Sequence, residues 1–182
     1  MSNNLVASPP VRIAVSGKSG CGNTTVSTLL AESLKAQVVN YTFRSLSKEL
    51  GVPLAQIAQE AEHDPKWDYL VDQKQIELAN AGPSVLASRL AIWLWKEARL
   101  RVWLEAPLEV RAARIYQREG GKPHDEVLAA TRERDQRDHD RYLKLYRIDN
   151  DAEKPADLVI DVSRQTPDAI VRQIVQAWES LL

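Results

Sequence analysis

The chain has 182 residues and a formal net charge of −1, and its length suits one domain that can bury a good hydrophobic core. This charge balance excludes a general electrostatic attraction to nucleic acid or to an anionic membrane. The single cysteine, Cys21, excludes an intramolecular disulfide and favours a reducing compartment. Residues 1–10 lack the basic-then-apolar pattern of a secretory signal, and charged residues interrupt the most apolar stretch, so we expect a cytoplasmic protein without a membrane span.

The predicted elements alternate between strands and helices along the chain. A β-branched and aliphatic run at 11–15 predicts the first strand, and apolar periodicity at 24–36 predicts the first helix. Later strands are predicted at 37–41, 84–88, 100–104 and 158–161. Later helices are predicted at 43–50, 53–58, 67–80, 90–98, 107–118, 125–146 and 167–182. This alternation predicts an α/β fold, a five-stranded parallel sheet with helices on both faces.

The segment 11–25, VRIAVSGKSGCGNTT, places a glycine-rich turn between the first strand and the first helix. Glycines at 17, 20 and 22 let the backbone turn with few side chains in the way, so its N–H groups can point at phosphate oxygens. A helix that begins near Thr24 adds free N–H donors and the positive end of its dipole. This order of strand, turn and helix favours a phosphate-binding loop over a flexible turn without a ligand.

The loop departs from the full pattern G-x-x-x-x-G-K-[ST] at one position. Gly17, Gly22 and Thr24 fit, whereas Asn23 stands where the pattern has lysine. Lys18, directly after the first glycine, is a nearby cation. Cys21 is small enough for the loop, and a nucleophilic role is disfavoured because no histidine is close in sequence.

Arginines are placed with helical spacing in the second half of the chain. Arg111, Arg114 and Arg118 share one face of a predicted helix, and Arg134 and Arg141 share a face of the next one. Guanidinium groups bind phosphate oxygens bidentately and keep their charge, which suits a polyphosphate ligand. Acidic residues are interleaved with these arginines, so ordinary surface ion pairs are the alternative. The same acids disfavour nucleic-acid binding.

Five segments together resemble the cytidylate kinases, especially their short archaeal-type branch. The resemblance covers about Val11 to Val171, and its most specific part is the string from Arg132 to Arg141. The segments are VSGKSGCGNTTVSTLLAESL, NYTFRSLSKELG, VLASRLAIWLWKEARLRVWLEAPLEVRAARIYQRE, RERDQRDHDRYLKLY and ADLVIDVSRQTP. The resemblance implies the three-layer sandwich of the P-loop NTPases with a short helical lid. It also implies one kinase domain over 1–182, with an acceptor-binding segment near 42–80 and a lid near 114–141.

The family resemblance implies a reaction and a set of site residues. The reaction is ATP plus CMP or dCMP giving ADP plus CDP or dCDP, with Mg²⁺. The ATP phosphates are expected at Gly17, Lys18, Ser19, Gly20, Cys21, Gly22, Asn23, Thr24 and Thr25, with Thr24 on Mg²⁺ directly or through water. The acceptor is expected at Arg44, Arg89, Arg134, Asp138 and Arg141. The transferring phosphoryl group is expected to meet Lys18, Arg114 and Arg118.

Three departures from the family bear on the site. Asn23 stands in place of the loop lysine, and the archaeal-type branch also lacks lysine at this position. Ala87 and Ser88 precede Arg89 where relatives often carry an acidic residue or glycine, and Leu90 stands where bacterial enzymes have an aspartate. Recognition of the base is therefore left open. The helical stretch at 67–72 lines the acceptor pocket through Asp68 or Asp72, or it is plain helix surface.

Two other functions compete with a (d)CMP kinase. The first is a P-loop kinase acting on another monophosphate or small molecule. The second is a nucleotide-binding module without transfer activity, suggested by Asn23. The expected partners are ATP and CMP or dCMP, with no nucleic acid and no membrane, and we expect a monomer.

Overall fold

The computed structural model of the protein describes residues 9–152 and 154–182. Within them the strands are β1 (Arg12–Gly17), β2 (Gln37–Val39), β3 (Ser84–Ala87), β4 (Leu100–Glu105) and β5 (Leu158–Asp161). The helices are α1 (Asn23–Ser33), α2 (Phe43–Leu50), α3 (Leu54–Ala61), α4 (Lys66–Asn80), α5 (Ala91–Leu94), α6 (Leu108–Glu119), α7 (His124–Tyr146) and α8 (Pro167–Glu179). Most of the segment 1–10, where the sequence predicted no secretory signal, lies outside the described residues.

The five strands form one parallel sheet in the order β2-β3-β1-β4-β5. The central strand β1 pairs with β3 on one side and β4 on the other, so that Ile13 lies opposite Val85 and Leu100. All five carboxyl ends therefore lie along one edge of the sheet. The predicted α/β fold with five parallel strands is confirmed.

Alternation of side chains along β1 builds a helical layer on each face of the sheet. Ile13 and Val15 are fully buried against Leu30 of α1 and Ile174 of α8. The residue between them, Ala14, faces the opposite layer, which contains Trp95 and other buried residues from α4, α5 and β4. Successive strand side chains point to opposite faces, and this spacing produces the three layers. In the part of the chain that the structure describes, no helix is both long and apolar enough to span a membrane.

A third apolar cluster builds the segment that precedes β3. Leu46 of α2, Ile57 and Ala61 of α3, and Trp67 and Val71 of α4 bury their side chains against one another. Because this cluster is separate from the cores on the two sheet faces, α2, α3 and α4 form a small subassembly beside the carboxyl edge. That position places α2 and α4 next to the strand ends.

The helix predicted at 90–98 is too long, because the observed helix α5 contains only Ala91–Leu94. At Trp95 the backbone leaves the helical region, with φ −85° and ψ 93°. The Trp95 side chain is fully buried, and its indole N–H donates to Asn80 Oδ1 at 2.8 Å. Burial of this large ring outweighs the helical periodicity of the segment and ends α5 after one turn.

Candidate active site

A cavity of about 970 Å³ lies at the carboxyl edge of the sheet, and we call it the main cavity. Its wall includes the segments 18–26, 40–44, 87–90 and 165–167, which follow β1, β2, β3 and β5, together with side chains of α4, α6 and α7. Ligands of open parallel sheets bind at this edge, outside the strand ends. The volume is at the upper end of the range for small-molecule sites.

The glycine-rich loop after β1 passes so close to its neighbours that side chains are excluded at two positions. A Cβ atom at Gly17 would lie 2.5 Å from the Leu104 carbonyl oxygen. Gly20 has φ +87°, and a Cβ there would lie 2.7 Å from the Arg111 carbonyl oxygen. The loop is therefore pressed between β4 and α6, which fixes its backbone beneath the main cavity. The first turn of α1 follows, with N–H groups that have no intrahelical acceptor.

Asn23, at the position of the missing lysine, forms a hydrogen bond within the loop. Its side-chain amide donates to the Gly17 carbonyl at 2.7 Å, while its Oδ1 is buried without a hydrogen-bond partner among the described residues. The next residue, Thr24, lines the cavity, and its hydroxyl accepts from the Asn40 amide at 3.4 Å. Asn23 thus shapes the loop and supplies no positive charge to it.

Arg111 joins the loop to the two long helices. It is only 5% exposed, and its guanidinium donates to both carboxylate oxygens of Asp135 on α7, at 3.2 and 2.7 Å. The same group donates to the Ser19 carbonyl at 3.0 Å and to the Ala106 carbonyl at 3.1 Å. A planar guanidinium with five donors satisfies all of these acceptors at once. Arg111 is therefore an anchor of the loop and does not line the main cavity.

Arginines from three other elements converge on the main cavity. Arg44 of α2, Arg89 after β3 and Arg134 of α7 all line it. Arg89 forms an ion pair with Asp138 at 2.5 Å, and Arg134 lies 3.4 Å from the Ser19 hydroxyl. Burial together with the nearby charge of Arg89 lowers the pKa of Arg134. Since these cations repel one another across the cavity wall, an anion placed between them is stabilised.

Two predicted acceptor residues, Asp138 and Arg141, are not part of the main cavity wall. Arg141 donates to both oxygens of Asp68 on α4, at 2.8 and 2.5 Å, and to the Ala61 carbonyl at 2.9 Å. Asp138 pairs with Arg89, and burial raises the pKa of its carboxyl. In this arrangement Arg141 joins α7 to α3 and α4, whereas Asp138 orients Arg89.

The three residues predicted to meet the transferring phosphoryl group all line the main cavity. Arg114 donates to the Val162 carbonyl at 2.6 Å, and the exposed Arg118 pairs with Glu119. Lys18 forms an ion pair with Asp151 in the segment between α7 and β5. Although burial opposes it, the Lys18 pair lowers the pKa of Asp151. The structure brings these cations to the cavity and shows which carboxylate or carbonyl each contacts.

An acidic residue of α4 also lies in the cavity wall. Asp72 accepts a hydrogen bond from the Tyr146 hydroxyl at the end of α7. Burial raises the pKa of Asp72 to about 6. Of the two readings that the sequence left open for the helical stretch at 67–72, the structure therefore supports a lining role for Asp72. Its partner Tyr146 was not predicted.

Sequence reasoning missed further residues of the site. Arg111 was grouped with Arg114 and Arg118, although it stands one helical turn before the apolar Ile115, and this spacing indicates a buried position. Asp135, Asp151 and the segment 165–167 carried no local signal. Cys21 is buried, and burial raises the pKa of its thiol to about 11, which disfavours the thiolate that a nucleophile needs.

Two solved structures define the class to which this architecture belongs. Shikimate kinase from Bacteroides thetaiotaomicron superposes with a TM-score of 0.64 at 15% identity, over 93% of this chain and 98% of that chain. A gluconokinase from Sinorhizobium meliloti 1021 gives a TM-score of 0.55 at 18% identity, over 94% of this chain and 93% of that chain. At such identities the likeness shows the fold alone, which is that of the small P-loop kinases.

Sequence relatives identify the family within this class. Residues 12–164 match the cytidylate kinase-like family. The chain is 44% identical over 157 residues to cytidylate kinase 2 of Borreliella afzelii (strain PKo), covering 84% of this chain and 88% of the relative. It is 39% identical over 171 residues to cytidylate kinase of Pyrococcus horikoshii, covering 93% of this chain and 88% of the relative. The chain therefore belongs to the cytidylate kinase-like family, as its sequence motifs predicted.

Removal of one partner of the buried Arg111–Asp135 pair tests the loop anchor. Asp135→Ala leaves a buried guanidinium charge without its counter-ion, and we expect the free energy of unfolding to fall by about 3–5 kcal/mol. Urea denaturation measures this change. The exposed Glu133→Ala in the middle of the same helix is the matched control, and it should change the free energy of unfolding by no more than about 0.5 kcal/mol.

A double variant separates stability from loop geometry. Arg111→Met with Asp135→Leu replaces the ion pair by apolar side chains and should recover most of the lost stability. The Ser19 carbonyl still lacks its donor, so we expect the affinity for a nucleoside triphosphate to stay about 10-fold or more below wild type. Wild-type affinity in the double variant would show that Arg111 does not position the loop.

The raised pKa of Asp72 predicts a pH-dependent stability. Folding favours the protonated acid, so ionisation of Asp72 carries a penalty in the folded state only. The penalty is absent below the ordinary carboxyl pKa of about 4 and is complete above the folded-state pKa of about 6. Asp72→Asn removes it, so the variant should gain about 2 kcal/mol relative to wild type as the pH rises from 4 to 7.

Urea denaturation at several pH values checks this sign, with Glu133→Gln in the middle of α7 giving the background slope of an exposed carboxyl. A stability difference between D72N and wild type that does not change between pH 4 and 7 would mean that Asp72 ionises as easily in the folded chain as in the unfolded one.

Proposed function

We propose that the protein is an ATP-dependent cytidylate kinase, which transfers the γ-phosphoryl group of ATP to CMP or dCMP and releases ADP and CDP or dCDP. The observation that carries the proposal is the convergence, in one cavity, of a glycine-rich loop and arginines from α2, α7 and the turn after β3. The loop suits the donor phosphates, and the arginines suit a second, separate phosphate. Membership of the cytidylate kinase-like family supports cytidine monophosphate as the acceptor.

In this proposal the ATP phosphates lie over the loop at 17–25. Backbone N–H groups of the loop and of the first turn of α1 donate to the phosphate oxygens, and the dipole of α1 stabilises their charge. Lys18 supplies a positive charge after exchanging its carboxylate partner Asp151 for a phosphate oxygen. Arg114 and Arg118 approach the transferring group from α6.

The acceptor phosphate lies between Arg44, Arg89 and Arg134. Thr42 caps α2, and its backbone N–H donates to Ser45 Oγ at 3.2 Å. This cap fixes the turn that carries Arg44. Ser16 accepts from the Ile92 N–H and donates to the Ser88 carbonyl at 2.6 Å, which fixes the turn that carries Arg89. Both arginines are therefore presented by rigid backbone.

The reaction needs no protein nucleophile and no general base. The attacking atom is an oxygen of the acceptor phosphate, which is ionised near neutral pH. Its bond to the γ-phosphorus forms as the bond to the β,γ-bridging oxygen breaks, and that oxygen leaves with ADP. Catalysis then depends on alignment and on positive charge around the equatorial oxygens. Closure of a mobile lid around residues 118–124, the connection between α6 and α7, excludes water from the transfer.

The residues present fit a magnesium ion that is held mainly by its substrate. The Thr24 hydroxyl lies in the cavity wall at the start of α1, and the described residues contain no group of three metal-ligating side chains. Mg²⁺ in such sites keeps several waters and takes few protein ligands, with phosphate oxygens completing its shell. Thr24 would hold the ion directly or through water, and the ion would neutralise charge on the donor phosphates.

We also propose the domain organisation, the oligomeric state and the compartment of the protein. One kinase domain spans the chain, with the acceptor segment at 42–80 and the lid region at 114–141. The partners are ATP and CMP or dCMP, the working state is a monomer, and the compartment is the cytoplasm.

Steady-state assays with Mg-ATP and a panel of acceptors test the proposal. CMP, dCMP, UMP, AMP and shikimate are compared by kcat/KM, and we expect CMP or dCMP to exceed the others by about 10-fold or more. Preference for another acceptor would assign the protein to a different small-molecule kinase. ATP binding without turnover of any acceptor would identify a nucleotide-binding module.

Arg134→Ala tests the acceptor phosphate site. Loss of a charge-assisted hydrogen bond costs about 1.5–3 kcal/mol, so the KM for CMP should rise about 10- to 100-fold while the KM for ATP changes little. Arg132→Ala is the matched control, because that exposed residue lies on the same helix away from the main cavity. An unchanged KM for CMP would remove Arg134 from the acceptor site.

Lys18→Ala tests the source of charge on the transferring phosphoryl group. We expect kcat to fall about 10- to 100-fold with the KM for CMP changing less than about 3-fold, because the interaction strengthens in the transition state. The exposed Lys144→Ala on α7 is the control. Wild-type turnover in the Lys18 variant would assign this role to Arg114 and Arg118.

A further inference from the structure

The main cavity contains an acidic residue that phosphate binding does not use. Asp68 and Asp72 are the carboxylates in its wall. Both oxygens of Asp68 accept from the Arg141 guanidinium. The hydrogen-bond partner of Asp72 among the described residues is the Tyr146 hydroxyl, on Oδ2. Asp72 therefore keeps an oxygen, Oδ1, that can accept from a ligand.

This carboxyl shares one cavity with the arginines of the acceptor site. Arg89, Tyr142 and Tyr146 line that cavity together with Asp72. Tyr142 and Tyr146 are four residues apart on α7 and therefore lie on one face of the helix, and the Tyr146 hydroxyl donates to Asp72. A carboxylate repels phosphate, so the ligand part beside Asp72 is a neutral group with hydrogen-bond donors.

The surroundings of Asp72 suit a flat ring. Phe43, Leu54 and Val71 line the cavity with it. The Tyr146 ring is held edge-to-face against Tyr69, with centroids 5.5 Å apart. Aromatic and aliphatic side chains around a single polar group are the usual setting for an unstacked base.

We propose, on the basis of the function proposed above, that Asp72, oriented by Tyr146, recognises the exocyclic amino group of the acceptor base. The Asp72 carboxyl accepts a hydrogen bond from the N4 amino group of cytosine. Uracil presents a carbonyl oxygen at the same position, and this oxygen meets the Asp72 oxygen without a proton between them. The pair therefore selects an amino-pyrimidine over a keto-pyrimidine by leaving the wrong base unpaired.

The burial of Asp72 supports this role. Its carboxyl lies where ionisation is unfavourable, and the Tyr146 hydroxyl is its hydrogen-bond donor among the described residues. A base that adds a second donor compensates for the lost solvation. A phosphate or a bare sugar gives no such compensation.

The test compares ligands with different bases on wild type and Asp72→Asn. Calorimetry measures binding of CMP, UMP and ribose 5-phosphate, and steady-state assays measure kcat/KM for CMP and UMP. We expect the ratio of CMP to UMP, in affinity and in kcat/KM, to fall about 10-fold or more in D72N. Ribose 5-phosphate, which has no base, should bind both proteins equally. Glu97→Gln, an exposed carboxyl in the turn between α5 and β4 and outside the cavity wall, should leave the ratio unchanged.

Tyr146→Phe is the second variant, and it removes only the hydroxyl that orients Asp72. It should lower the CMP to UMP ratio by a smaller factor, about 3-fold or more, and it decides the question if D72N does not fold. An unchanged ratio in the folded variants would overturn the role of Asp72 while wild-type CMP phosphorylation still supports the proposed function. Equal binding of CMP and UMP by wild type would likewise overturn the role of Asp72, whereas absence of CMP phosphorylation by wild type would overturn the proposed function.

Discussion

The buried ion pair between Arg111 and Asp135 is the constraint on which the rest of the site depends. The pair lies where α6, α7 and the glycine-rich loop meet, and its guanidinium also holds the Ser19 carbonyl. A buried charge without its partner is costly, so these three elements stay in one arrangement. The same contact brings Arg114 and Arg118 on α6, and Arg134 on α7, to the main cavity. One internal ion pair thus sets the position of the loop and of the arginines around it.

The distribution of charge explains how a loop without its lysine can still bind phosphates. The Asn23 side-chain amide donates to the Gly17 carbonyl and fixes the loop backbone. The positive charges of the cavity come from Lys18 and from arginines on other elements. In the structure these cations contact carboxylates and carbonyls, as in the pairs Lys18–Asp151 and Arg89–Asp138. We propose that nucleotide phosphates, which carry several negative charges, replace these partners when the substrates bind. The missing lysine is therefore consistent with a kinase.

Local sequence patterns predicted most of the fold because strands and helices here are built by short-range periodicity. The helix at 43–50 was placed at its observed bounds, and the strand at 158–161 likewise. The helix at 90–98 was overextended because burial of Trp95 against Asn80 depends on a residue 15 positions away. Periodicity alone does not report such a contact.

The site was predictable where a motif or a family pattern marks it, and not where partners are distant in sequence. The loop at 17–25 and the arginines at 44, 89 and 134 were expected, and all except Gly17 line the main cavity. Helical spacing made Arg111 look like Arg114, although its partner is 24 residues away. The Asp72–Tyr146 contact spans 74 residues and carries no local signal.

We propose that one cavity binds the donor and the acceptor together, with the loop under the donor phosphates and the arginines around the acceptor phosphate. Adenosine and cytidine joined through five phosphates occupy both halves at once, so calorimetry with this compound tests the claim directly. We expect one molecule per chain, bound about 100-fold or more tighter than ATP or CMP alone, because the second half binds at high effective concentration. Binding no tighter than that of ATP, or binding that leaves the affinity for CMP unchanged, would show that the donor and the acceptor do not share this cavity.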